Sequence, residues 1–110
     1  MGGNGYLVDQ PLLVAQSTDE TTAALSLAGI PVTYVTHLVK WSAGVSAGVV
    51  EIEAADTKDY TGTWSNLATV TTGAASSIDT VVLAGPYKAI RHRISTAVAN
   101  GTVTTTVLAV

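Results

Sequence analysis

The chain has 110 residues, of which 47% are hydrophobic and only 12% charged, with a formal net charge of −3. That length supports one domain with one core, and a charged share well under the usual ~25% suits a surface that lies against neighbours. The acidic balance excludes a basic nucleic-acid footprint, and the absence of cysteine excludes a disulfide framework and thiolate metal sites.

Residues 1–10 read as a flexible Gly-rich arm and residues 11–110 as the folded domain. The start MGGNGY begins like a myristoylation signal, but Tyr6 stands where Ser or Thr is required. It also lacks the basic start and apolar run of a signal peptide, so synthesis in the cytosol without export is expected. No apolar run approaches the roughly 20 residues that cross a bilayer, so no membrane role is expected.

Short β segments follow at 11–16, 21–27, 32–42, 48–55, 63–71, 78–83, 87–96 and 102–110. Turn signals separate them, among them Gly29-Ile30-Pro31, Ala43-Gly44, Asp56 to Gly62, Thr72-Gly73 and Gly85-Pro86. Thr and Val dominate the segments, and β-branched side chains pack well on a pleated sheet. Residues 20–27 also fit a short helix after Asp19, and Asn100-Gly101 is a hairpin signal. Eight strands at this spacing predict an all-β fold, a single antiparallel β-sandwich of jelly-roll type.

There is no Phe, so core volume must come from Trp41, Trp64, the four Tyr and the aliphatic residues. Small residues at Ala43, Ala47, Ala54, Ala55, Ala74 and Ala75 would let sheets or subunits approach closely. A thin core of this kind favours added burial between subunits, and hence a homo-oligomer.

The stretch from Val49 to Leu67 carries the most distinctive pattern. Val50 and Ile52 fall on one face of a strand, Glu51 and Glu53 on the other. In 87–95, Ile90, His92 and Ile94 share a face opposite Arg91 and Arg93. If these strands are neighbours, Glu51 and Glu53 form a charge ladder with Arg91 and Arg93, at about 0.2–1 kcal/mol per pair. A patch for a partner's carboxylates, or a phosphate or nucleic-acid site, is the competing reading of the two arginines.

Asp56, Asp59, Tyr60 and Trp64 form the candidate contact loop for a partner or ligand. Trp64 either caps the core or offers a flat platform for a sugar. Calcium is a weaker reading, because the spacing of Glu53, Asp56 and Asp59 does not fit an EF-hand and Asp-Thr-Lys-Asp suits an Asx-type turn. His37 and His92 lie within apolar strands and read as structural, since zinc would need further ligands. No G-x-S-x-G elbow occurs, and the Ser42–Gly48 run lacks the lysine and helix of a phosphate loop. No catalytic residue, cofactor or metal is expected, and the chain reads as non-enzymatic.

The pattern G-V-V-E-I-E-A-A-D, then Y-T-G-T-W-S-N-L-A-T-V, then G-P-Y-K-A-I-R-H-R-I-S resembles small β-sandwich proteins of tailed-bacteriophage virions. The likeness covers about residues 32–110. It implies a virion structural subunit, foremost a capsid decoration or cement protein that binds the major capsid protein or other virion proteins on the head. It implies cyclic association, a trimer being one form. The alternatives it carries are a glycan- or receptor-binding module of a head or tail fibre, and a tail-tube or connector subunit.

Overall fold

The structure is a computed structural model that describes residues 6–72, 75–84 and 88–110. Eight strands run in chain order: β1 (Val8–Pro11), β2 (Leu25–Ser26), β3 (Tyr34–Trp41), β4 (Ala47–Ala55), β5 (Ser65–Thr71), β6 (Ile78–Ala84), β7 (Ala89–Ala99) and β8 (Val103–Ala109). They form two four-stranded sheets, ordered β1-β8-β3-β6 and β2-β7-β4-β5. All pairings are antiparallel. The pairs β1·β8, β2·β7, β3·β6 and β4·β5 describe one long hairpin folded back on itself. The pairs β3·β8 and β4·β7 roll that hairpin into two facing layers, which is the double Greek key of a jelly roll.

Alternation along the strands decides what enters the core. Val35, His37, Val39 and Trp41 of β3 point inward, as do Val103, Thr105, Val107 and Ala109 of β8. Val50 and Ile52 of β4 face them with Ile90, His92 and Ile94 of β7. The layers are thin, with principal extents of 39 × 36 × 19 Å, as two sheets roughly 10 Å apart require. Trp41 is fully buried, and its indole N–H donates to Asp79 Oδ2 at 2.7 Å. Its ring lies so close to Gly48 that a Cβ there would sit 3.0 Å from it, and Gly48 has φ +152. Glycine is needed at that position on both counts.

Several sequence expectations change. Residues 8–10, expected in the arm, belong to β1, and residues 1–5 lie outside the described residues. β1 was hard to see because Asp9, Gln10 and Pro11 carry no strand signal, yet Pro11 is tolerated where the strand lies at a sheet edge. The expected segment 11–16 is an irregular stretch beside β8, joined by Leu12 N–H to Thr105 O and Gln16 N–H to Val103 O. The expected 21–27 strand shrinks to β2 and an isolated bridge between Thr21 and Arg93, with no helix there.

Asn100-Gly101 makes a turn but not a hairpin. β7 and β8 lie in different sheets, and only Asn100 has positive φ (63), whereas a type I′ turn needs it at two positions. Tyr6, Tyr34 and Tyr60 are exposed rather than core residues. Tyr87, Ala74 and the expected turn residues Gly73, Gly85 and Pro86 lie outside the described residues.

Candidate functional site

Two places gather the residues that sequence reasoning singled out, and a third is a surface it did not. The first is the outer face of the sheet β2-β7-β4-β5. β4 and β7 are neighbours, with Glu51 opposite Arg93 and Glu53 opposite Arg91. The four charges meet, but not as two rungs. Glu53 takes both arginines: Arg91 Nε lies 2.8 Å from one carboxylate oxygen and Arg93 Nε 3.2 Å from the other. Arg93 reaches Glu53 along the diagonal, which long side chains span between neighbouring strands.

Glu51 turns instead to β5. It accepts from the Thr69 hydroxyl at 2.8 Å and from the Asn66 amide. The Thr69 hydrogen bond, with smaller help from Ser95, Asn66 and Arg93, holds its carboxyl below the usual range. A register shift between Ile52 and Glu53 in the β4·β5 pairing sets Glu53 opposite Asn66 and Glu51 opposite Thr69.

Trp64 completes this cluster. The Arg91 guanidinium carbon stands 4.3 Å above its ring, and the indole N–H donates to Tyr60 O at 3.0 Å. Trp64 is only 6% exposed. Its ring is covered by a cation rather than offered to a sugar. The expected contact loop therefore divides. Asp56 and Tyr60 line an open pocket of about 250 Å³ with Ala54, Ala55, Thr63 and Ser65, while Trp64 and Asp59 do not line it. Asp59 is exposed, with Lys58 Nζ at 3.3 Å and its backbone N–H donating to Thr57 Oγ1 at 3.0 Å. Among the described residues no group of three or more His, Cys, Asp or Glu is placed to hold a metal.

The second place is the interior. His37 and His92 are both fully buried, and His37 Nδ1 lies 2.9 Å from His92 Nε2. His92 Nδ1 lies 2.7 Å from the hydroxyl of Thr105, which also accepts from Leu13 N–H at 3.0 Å. Burial lowers His37 to about 4 and His92 to about 3, the latter also through the charge His37 would carry. Both rings are neutral at pH 7. Sequence reasoning placed them as structural histidines but did not join them. Their inward phase was visible in the alternation, whereas their meeting, across 55 residues of chain, was not.

The third place is the outer face of the sheet β1-β8-β3-β6. Tyr34, Thr36, Leu38 and Lys40 of β3 lie beside Ala84, Val82, Thr80 and Ile78 of β6 on one side. On the other side lie Leu108, Thr106 and Thr104 of β8. Ile78 and Val82 are each 58% exposed. Across the strands of this face, Lys40 and Asp9 are the charged residues. Sequence reasoning missed this face because Thr alternating with Val, Leu or Ile on the outside looks much like the inside.

No family model matches the chain, and no curated protein or solved structure matches it.

Proposed function

We propose that the protein is a non-enzymatic virion structural subunit, a decoration protein that docks on the outer surface of a tailed-phage head and stabilises contacts between capsomers. The observation that carries the docking role is the broad Thr- and aliphatic-rich outer face of β1-β8-β3-β6, with Ile78 and Val82 each 58% exposed. An exposed face with so little charge and large aliphatic side chains in water suits an interaction site. The main polar clusters elsewhere are engaged within the fold: Glu53 with two arginines, Glu51 with Thr69 and Asn66, His92 with His37 and Thr105. The virion setting comes from the resemblance of residues 32–110 to phage β-sandwich proteins, and a jelly roll is an architecture that capsid domains use.

Co-sedimentation with undecorated mature heads of the phage that carries the gene tests this reading. The wild-type protein should bind at high occupancy. Ile78→Lys with Val82→Lys, both solvent-exposed changes, should weaken binding by about tenfold or more, equivalent to about 1.4 kcal/mol or more. Absence of wild-type binding, or unchanged binding by the double variant, overturns it.

A second reading is favoured by the pocket of Asp56, Tyr60, Thr63 and Ser65. A carboxylate, two hydroxyls and an aromatic edge suit a sugar on a fibre module. Glycan binding that is abolished by Asp56→Ala and retained by Ile78→Lys would select this reading over docking.

A further inference from the structure

Docking uses neither of the two buried imidazoles, and their position is unusual. Both side-chain hydrogen bonds of His92, a residue of β7, cross to the opposite sheet, to His37 on β3 and Thr105 on β8. We propose that the His37–His92 pair, anchored on Thr105, is an acid-sensitive clasp between the two sheets: it holds them while neutral and lets the sandwich loosen once protonated. This inference does not rest on the docking reading.

The count of protons supports it. Thr105 Oγ1 already accepts from Leu13 N–H. With its own hydrogen given to His92 Nδ1, His92 carries its proton on Nε2 and donates to His37 Nδ1. His37 Nε2 then bears the remaining hydrogen, and it has no partner inside the core. In this arrangement each ring has used its only free lone pair. An incoming proton breaks a hydrogen bond in this tautomer; in the other, with His92 Nδ1–H donating to Thr105 Oγ1 and His37 Nδ1–H to His92 Nε2, it lands on the unpartnered His37 Nε2. Either way it places a charge where water does not reach.

No carboxylate is set to receive that charge. To the core that holds the pair β3 contributes Val35 and Val39, β4 contributes Val50 and Ile52, β7 contributes Ile90 and Ile94, and β8 contributes Val103 and Val107. β6 supplies Val81 and Leu83 with Asp79, the inward-facing carboxylate among the described residues, and Asp79 accepts from Trp41. β1 supplies Val8, and its Asp9 is exposed. Lys40 of β3 lies on the outer face of its sheet, and Glu51, Glu53, Arg91 and Arg93 on the outer face of the other. Asp19 and Glu20, on the stretch beside β7, are exposed.

The direction of the pH effect follows. Each imidazole has its ordinary value near 6.5 when unfolded and a depressed one, about 4 and about 3, when folded. The unfolded chain therefore binds more protons. The stabilisation is complete above pH 6.5 and is lost as pH falls from 6.5 toward 4. At pH 5.5 two such sites lower the folding equilibrium constant by about a hundredfold relative to pH 8.

Two measurements test the clasp. Urea unfolding of the wild type across pH 8 to 5.5 should show that hundredfold loss, and the double variant His37→Leu with His92→Leu should show little of it. Nitrogen NMR of the folded wild type should find neither ring taking up a proton between pH 7.5 and 5.5. Imidazoles that titrate near 6.5 in the folded protein, or a wild-type stability flat across that range, overturn the proposal. A double variant with the wild-type pH profile does so too. Where the double variant fails to fold, the NMR titration and the pH profile of wild-type stability decide.

Discussion

The inward cluster of His37, His92 and Thr105 and the outward cluster of Glu53, Arg91, Arg93 and Trp64 meet on one strand, β7, at the consecutive residues Arg91, His92 and Arg93. Arg91 and Arg93 leave β7 toward solvent and His92 leaves it toward the core. Outside, the cations keep their charge and share one carboxylate, with an indole ring beneath Arg91. Inside, no carboxylate is within reach, and the imidazoles persist only as neutral hydrogen-bonding groups. One strand carries both kinds of polar chemistry, and the difference between them is access to water.

Substitutions can break this comparison, beginning with the inner cluster. His92→Ala removes a buried ring and strands both His37 Nδ1 and the Thr105 hydroxyl. A loss of about 3 kcal/mol at pH 7.5 is expected by urea unfolding, combining a cavity with unmet hydrogen bonds. Glu53→Ala leaves two guanidinium groups without their carboxylate. Arg91 and Arg93 retain partial exposure (25% and 39% of their side chains). The expected loss is therefore about 1–2 kcal/mol, below the range for a fully buried pair, and it should shrink in high salt. Lys58→Ala separates an exposed pair whose side chains are 57% and 80% accessible. Its effect on the unfolding midpoint should correspond to less than about 0.5 kcal/mol. A larger loss from Glu53→Ala than from His92→Ala would reverse the ranking and place the anchoring of β7 outside the core.

Much of this arrangement was legible in the sequence for one physical reason: period-two alternation. It separated Val50 and Ile52 from Glu51 and Glu53, and Ile90, His92 and Ile94 from Arg91 and Arg93, and so made β4 and β7 natural neighbours. It could not say that Glu53 would take both arginines, because Glu51 turns away to Thr69 and Asn66 of β5, a neighbour that alternation does not assign. Nor could it assign strands to layers. Asn100-Gly101 marks a reversal of the chain, but turn chemistry is the same whether the next strand pairs with the last or crosses to the other sheet. Trp64 was legible as a special residue, while its cover, Arg91, lies 27 positions along the chain and was beyond local pattern.

The nested pairing of the strands also implies an order of assembly. Only β4 and β5 meet over a short connection, with Ala54 opposite Ser65, whereas β1 meets β8 with Val8 opposite Ala109. Closing a loop costs entropy that rises with its length, so each outer pair closes most cheaply after the pair inside it has shortened the way. Folding then proceeds like a zip from the β4–β5 end outward, with the pairing of β1 to β8 among the last contacts made. Chains dominated by such distant pairings have high contact order and belong to the slow-folding class. The jelly roll fixes a sequence of events in time as well as a shape.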